Sequence, residues 1–256
     1  MRRFYIAIAL LVIMLTSCKS AALTDKVTDK ITMHYFYNEA CSSCDGASLF
    51  RDIVNAALKD VAQLYPYEII EINTFTTDGE AAWDEFFTKL GFEEQAARFI
   101  VQPVLVVDGM IFPTLEYIGG SVREAYLAAG EDLIIYGKEP YDPTGSPTPK
   151  QLLSAYKVNA KTPTCFYFYR NGCGECGRVS DVIAGLPGDI LRVNTFTDRN
   201  QDIARLFYTA YGVPDELQTI PAVFTAKGYY IGYDDITTRL PISMANGDGL
   251  NFKLPD

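Results

Sequence analysis

The stretch YFYNEACSSC at residues 35–44 recurs 132 residues later as YFYRNGCGEC at residues 167–176. In each stretch an aromatic run, which is typical of a buried strand, comes directly before two cysteines separated by two residues. The segments that follow repeat as well, since VNTFT at 193–197 answers INTFT at 72–76. The chain therefore carries one small unit twice, with a pair of thiols at the same place in each copy.

Hydrophobic periodicity predicts the same order of strands and helices in both copies. For the first copy it predicts strands at 31–37, 67–72, 104–107 and 111–118, and helices after Cys44, from Asp78 to Leu90 and from Ser121 to about Leu133. In the second copy the helix after Cys176 is predicted to be shorter and to stop at the GLPG sequence of residues 185–188. Beyond Ile236, Pro241 and the NGDG sequence at 246–249 interrupt the helical pattern. The second copy is therefore predicted to be trimmed, without a final helix.

The order strand, CxxC, helix, strand, helix, proline, strand, strand resembles the thioredoxin fold, and it occurs twice. The resemblance covers about residues 31–136 and 161–236. It implies an α/β protein of tandem thioredoxin-like folds, each a central mixed sheet flanked by helices. In that family a cis-proline begins the strand that faces the thiol pair, and Pro103 and Pro221 lie where this proline is expected.

The N-terminus is interpreted as a targeting segment. Arg2 and Arg3 precede an apolar run that is too short to span a bilayer comfortably, and LTSC at residues 15–18 closes it. This pattern resembles the lipobox of bacterial lipoproteins, which implies cleavage before Cys18 and lipidation of that cysteine. An ordinary secretory signal or a single anchor helix is the alternative. Each interpretation places the remaining chain outside the cytoplasm, and the lipoprotein one at the outer face of a bacterial cell membrane.

These patterns divide the chain into five parts. The predicted organisation is a signal peptide at 1–17, a tether at 18–30, a first domain at 31–136, a proline-rich linker with a short helix at 137–160, and a second domain at 161–256.

Paired cysteines at the start of a helix are suited to reversible dithiol–disulfide chemistry, because a helix N-terminus favours the reactive thiolate. Cys41 and Cys173 are predicted to be the exposed nucleophiles, with Cys44 and Cys176 as the resolving thiols. The resemblance adds a substrate-docking role for the two prolines. It requires no cofactor beyond the redox-active disulfides and no metal.

Two departures from the family pattern affect the expected chemistry. Many thioredoxins bury an acidic residue six positions before the nucleophile, and here Tyr35 and Tyr167 stand there, so that proton-transfer route is not carried over. Asp45 and Glu175 place negative charge near the thiols, which disfavours a thiolate. Reducing or intermediate sites are therefore predicted rather than strong oxidants.

Charge and composition limit the partners. The formal net charge is −10, and such a surface would be repelled by phosphate backbones, so nucleic acid is not expected as a partner. Expected partners are exported client proteins with thiols or disulfides, a membrane electron donor, and the membrane itself through the lipid anchor.

The sequence thus predicts a membrane-anchored, extracytoplasmic thiol–disulfide oxidoreductase whose two pairs could relay electrons between domains. The alternative is a non-catalytic binding or chaperone module, in which the pairs carry a soft metal such as Cu(I) or act as static staples. A zinc site shared by all four paired thiols is a further alternative. Cys165, His34 and Trp83 are interpreted as core or strand residues.

Overall fold

The computed structural model describes residues 29–40, 46–92, 97, 100–137 and 164–249. Within these residues the chain forms two four-stranded mixed sheets with helices on both faces, an α/β architecture. The cysteines at 18, 41 and 44 lie outside the described residues, as do the predicted signal peptide, most of the tether, and the linker from residue 138 onward with its short helix.

The first sheet has the strand order β2-β1-β3-β4. Its central strand β1 pairs in parallel with β2 and antiparallel with β3, and β3 pairs antiparallel with β4. The elements in chain order are β1 (Ile31–Tyr37), α1 (Gly46–Leu58), β2 (Tyr67–Asn73), α2 (Thr77–Lys89), β3 (Val104–Val107), β4 (Met110–Pro113) and α3 (Thr114–Tyr136).

Alternation along β1 sends its side chains to two separate hydrophobic clusters, one on each face of the sheet. Met33 and Tyr35 pack with Phe50 of α1 and Val122 of α3. Phe36 faces the other way and packs with the aromatic side chains of α2, including Trp83 and Phe87. The sheet is therefore covered by α1 and α3 on one face and by α2 on the other.

The second sheet repeats this topology, with the order β6-β5-β7-β8 and the same parallel and antiparallel pairings. Its elements are β5 (Cys165–Tyr169), α4 (Gly174–Ala184), β6 (Ile190–Asn194), α5 (Asp198–Ala210), β7 (Ala222–Phe224) and β8 (Tyr229–Ile231). The predicted early end of α4 is confirmed, since the helix stops at Ala184 and Gly185 caps it.

The prediction that the second copy lacks a final helix is wrong. A continuous helical segment, which we call α6, follows β8 as Gly232–Asp234, a π-helical stretch Asp235–Arg239 and Leu240–Ala245. Pro241 is the second residue of the last part, directly after the π-helical stretch, and it supplies no backbone N–H to the helix. Ile236, Leu240 and Met244 recur every four residues and are buried against α4 and β5.

The last strand and helix of the first copy also differ from the prediction. The strand expected at 111–118 is only Met110–Pro113, because its partner β3 offers four residues for pairing. The helix expected from Ser121 begins at Thr114 and runs 23 residues to Tyr136. Gly119 and Gly120, which are poor helix formers, hid its first turns from the sequence pattern.

Helix α3 contributes side chains to the hydrophobic cores of both copies. Its first two-thirds pack on the first sheet through Ile118, Val122 and Tyr126, whereas Ile135 lies in the hydrophobic core of the second copy. Near its C-terminus, the Tyr136 hydroxyl donates a hydrogen bond of 2.7 Å to Asn200 of α5. The two copies therefore pack against each other through one shared element.

Candidate functional site

The second cysteine pair lies at the N-terminus of α4. Cys173 is the N-cap residue, and its Sγ accepts a hydrogen bond of 3.2 Å from the backbone N–H of Cys176. The two cysteines are joined by a disulfide bond. Cys173 is partly exposed whereas Cys176 is only 4% exposed. A molecule that approaches from outside would therefore meet the Cys173 sulfur first.

Local sequence explains how the chain reaches this position. Gly172 adopts a φ of 75°, which a residue with a Cβ rarely takes, and this turn directs the chain from β5 into α4. The backbone N–H of Cys173 donates to the Arg170 carbonyl over 3.2 Å and closes the turn. Because the first N–H groups of a helix have no intrahelical acceptors, they and the helix dipole stabilise negative charge on a sulfur held there.

Both predicted docking prolines follow a cis peptide bond, Gln102–Pro103 and Ile220–Pro221. Each immediately precedes the strand that pairs with the central strand of its sheet, β3 or β7. Each proline carbonyl also accepts a hydrogen bond from the residue that follows the next strand, from Thr114 over 2.7 Å and from Gly232 over 2.8 Å. The two copies therefore place their prolines identically, at the sheet edge where the cysteine segment leaves the central strand.

The side chain of Tyr167 lies beneath the second pair. It is fully buried, in the same hydrophobic cluster as Cys176, Val179 and Val223. Its hydroxyl donates a hydrogen bond of 3.3 Å to the backbone carbonyl of Cys176. Burial raises the pKa of Tyr167 to about 12, so the side chain is neutral at ordinary pH. In the sequence this tyrosine stands only as a replacement for the family's acidic residue, and no local signal predicts its contact with the cysteine helix.

For the first pair the structure describes only the flanking residues. Asn73, at the end of β2, accepts a hydrogen bond from the backbone N–H of Glu39 over 3.1 Å and donates to the Glu39 carbonyl over 2.9 Å. Thr74 donates from its hydroxyl to Gln102, the residue before the cis-proline, over 2.7 Å. The chain that enters the first cysteine segment is therefore fixed to β2, and the loop before Pro103 is fixed to the same strand end.

Two acidic residues of α3 reach the second copy, and neither is among the site residues predicted from the sequence. Tyr169 donates from its hydroxyl to the Glu131 carboxylate over 2.6 Å, and burial raises the pKa of Glu131. Asp132 accepts hydrogen bonds from Thr197 over 2.9 Å and from Asn200 over 2.6 Å. The available signal was two adjacent acids in an otherwise apolar helical stretch.

The residues interpreted as structural are indeed packed in the protein. Cys165 is fully buried and is a free thiol, and burial raises its pKa to about 12. Trp83 is 5% exposed and contacts Phe36 and Phe87. His34 is half-buried on β1 with its ring 4.4 Å from that of Phe86, and burial lowers its pKa.

Two clefts adjoin the sheet edge that carries the second pair. A groove of about 340 Å³ is lined by Thr219 and Ile220, directly before the cis-proline, and by Tyr208 of α5. A larger cleft of about 840 Å³ lies between the copies, with Arg170 and Phe196 among the residues that line it. The Arg170 guanidinium lies 4.6 Å from the centre of the Phe196 ring.

Among the residues that the structure describes, no helix is both long and apolar enough to cross a bilayer. In the same part of the chain, no group of three or more His, Cys, Asp or Glu side chains is arranged to hold a metal ion. No protein-family model matches this chain, and no curated protein matches it. What the two copies do is therefore inferred from their own residues.

Proposed function

We propose that the protein is a thiol–disulfide oxidoreductase built from two thioredoxin-like units. The observation that carries the proposal is the second pair, where a partly exposed sulfur caps a helix and accepts the N–H of its buried partner. A proline preceded by a cis peptide bond begins the strand next to β5 at the same sheet edge. This combination supports the thioredoxin-like resemblance in the second copy, and the matching frame around Pro103 supports it in the first.

The reaction follows from the unequal exposure of the two sulfurs. The Cys173 thiolate attacks one sulfur of a client disulfide, forms a mixed disulfide with it, and releases the other client sulfur as a thiolate. The Cys176 thiolate then attacks the Cys173 sulfur, which reforms the internal disulfide and releases the second client thiolate. Two electrons pass from the dithiol to the client, and the two client thiolates take up the two protons that the cysteines lost.

The client is proposed to be an exported polypeptide that carries a disulfide in an extended segment. Proline has no N–H, so Pro221 cannot donate a backbone hydrogen bond to such a segment, but the backbone of the preceding residue can pair with it. Thr219 is exposed and Ile220 is partly exposed, and both line the adjoining groove. These features support docking of client backbone beside the Cys173 sulfur.

Location and anchoring remain part of the proposal. We propose that Cys18 is lipidated and holds both units at the outer face of the membrane, where a membrane donor would return the internal disulfide to the dithiol. Cys18→Ser should then move the protein from the detergent phase to the aqueous phase in detergent partition.

The test uses the full chain in a Cys41→Ser/Cys44→Ser background, so that only the second pair reacts. We expect graded dithiothreitol to open this pair reversibly, as followed by mass-shift alkylation, and the reduced protein to reduce insulin. Cys173→Ser should abolish insulin reduction, and Cys176→Ser should trap a mixed disulfide with insulin. Cys165→Ser is the matched control, because that buried thiol lies outside the pair. A pair that never opens would support a static staple, and tight Cu(I) binding without turnover would support a metal chaperone.

A further inference from the structure

We propose that Tyr167 is a positioning residue for the second cysteine pair, whose hydroxyl holds the first turn of α4 in place when the disulfide is open. The proposal rests on the redox chemistry proposed for this pair and assigns a contact that this chemistry uses. The phenol hydroxyl donates to the backbone carbonyl of Cys176, so it acts through that backbone.

The contact joins the central strand to the reactive helix. Tyr167 lies in the middle of β5, where its backbone pairs with Arg192 of β6 and Val223 of β7. Its ring stacks on that of Tyr169 at 5.2 Å, and the guanidinium of Arg192 lies 5.6 Å from the ring centre. The hydroxyl is thus held by the sheet, and it donates to the carbonyl of Cys176, the third residue of α4.

That carbonyl belongs to the same residue, Cys176, as the N–H that donates to the Cys173 sulfur. The N–H of Cys176 donates to the Sγ of Cys173 over 3.2 Å. In the disulfide state the S–S bond itself fixes Cys176 relative to Cys173. Once the bond is open, only non-covalent contacts hold this N–H toward the sulfur, and the Tyr167 hydrogen bond is one of them. The contact is therefore worth more in the dithiol state than in the disulfide state.

Removing the hydroxyl should consequently disfavour the dithiol. In the reaction the protein disulfide and two glutathione thiols give the protein dithiol and one glutathione disulfide. For Tyr167→Phe we expect the equilibrium constant of this reaction to fall about fivefold, the effect of one net hydrogen bond. The pKa of the Cys173 thiol should rise, because the donor that stabilises its thiolate is held less firmly.

The experiment measures both quantities on the full chain in the Cys41→Ser/Cys44→Ser background. Glutathione buffers of graded composition with mass-shift alkylation give the equilibrium constant, and the pH dependence of alkylation by iodoacetamide gives the thiol pKa. Tyr169→Phe is the matched control, since Tyr169 is on the same face of β5 but its hydroxyl donates to Glu131. The control is expected to leave both quantities unchanged.

Neither measurement requires a client, so the result is separable from the proposed function. If Tyr167→Phe matches the parent in equilibrium constant and in thiol pKa, or if Tyr169→Phe shifts both equally, the positioning role is wrong. If the pair cannot be opened at all in the parent, the proposed function fails first. Circular dichroism of both phenylalanine variants confirms that the fold is retained.

Discussion

The two copies build the same sheet and complete it with different helices. The first copy ends in α3, an α-helix of 23 residues, whereas the second ends in α6, which includes a π-helical stretch. Both cover the face of the sheet that also carries the cysteine helix. The additional length of α3 does not serve its own sheet, because Ile135 and Tyr136 pack against the second copy. The last turn of α3, at the end of the first copy, therefore packs in the hydrophobic core of the second copy.

One position in the repeat helps to explain how α3 contacts the second copy. It is Gly79 in the first copy and Asn200 in the second. Thr76 caps α2 by accepting from the N–H of Gly79, and Thr197 caps α5 by accepting from the N–H of Asn200. In the first copy a Cβ at position 79 would lie 1.9 Å from the Asn73 carbonyl oxygen. In the second copy, Asn200 fills the corresponding space and donates to Asn194 and to Asp132. The second copy therefore has a polar contact to α3 at a place where the first has only glycine.

Helix α3 also separates the two sheet edges at which β1 and β5 end. Its first residue donates to the Pro103 carbonyl, at the sheet edge where the first cysteine segment leaves β1. Its last residue contacts Asn200 near the start of α5, at the edge from which the second cysteine segment leaves β5. A helix of 23 residues is about 33 Å long at 1.5 Å per residue. Direct exchange between the pairs would need their sulfurs in contact, so we predict that the pairs work as two separate sites and not as the relay considered from the sequence.

The largest expected effect comes from removing one pair at a time. Cys173→Ser/Cys176→Ser should eliminate turnover by the second pair, at least about a 100-fold loss, because no thiolate remains to attack. Cys41→Ser/Cys44→Ser should do the same to the first pair. Each variant should leave the rate of the other pair within about twofold, as distant sites behave additively. Insulin reduction by the two variants and the parent measures this. If losing one pair also silences the other, the relay is supported and the separation is wrong.

The pH dependence of the free energy of unfolding tests the contact between Asp132 of α3 and the second copy. The pKa of Asp132 is raised to about 8, chiefly by burial and then by the charge of Asp108, against the opposing effects of Thr197, Asn200 and Arg199. Because the folded protein binds this proton more tightly than the unfolded chain does, the contribution of Asp132 favours the folded state at low pH. That contribution should be lost as pH rises from about 4 to about 8, by at most about 1.4 kcal/mol per pH unit.

Asp132→Asn is the matched variant, because an amide of similar shape does not titrate. We expect its free energy of unfolding, measured in urea on the full chain, to vary less with pH than that of the parent. Asp132→Ala should cost about 3 kcal/mol, since it removes the acceptor for two buried donors, Thr197 and Asn200. An Asn variant whose pH profile coincides with that of the parent would show that Asp132 does not titrate across this range.

Much of the fold could be predicted because the same sequence pattern occurs twice, so that each copy supports the assignment of strands and helices in the other. The strands at 31–37 and 104–107 were predicted with their observed bounds, since alternating and continuous apolar runs fix short strands well. The ends of the two copies were predicted poorly. Glycines in the first turns of α3 and a proline within α6 are local signals against a helix, and burial against the sheet overrode both.

The positions of the site residues in the fold could be predicted from the sequence, but the contacts that their side chains make could not. The cysteine and proline spacings located the second pair and both prolines, because the cysteines follow the end of a strand and each proline directly precedes one. The hydrogen bond from Tyr167 and the acids from α3 depend on tertiary packing between distant segments. Tyr169 and Glu131 are 38 residues apart in sequence, and only the fold brings them together.

The smallest expected effects compare two glycines of α3. A Cβ at Gly130 would lie 2.1 Å from the ring of Tyr65, which packs against the core of the first copy, so Gly130→Ala should cost about 2 kcal/mol through overpacking. Gly120 has nothing within 4 Å of the corresponding point, so Gly120→Ala should stabilise the helix by about 0.5–1 kcal/mol. Urea unfolding of the full chain measures both. Changes of opposite sign in the free energy of unfolding would show that α3 is closely packed at Gly130 and loosely packed at Gly120. A Gly130→Ala protein as stable as the parent would mean that Tyr65 can move aside, and that α3 is not packed closely against the first copy at this position.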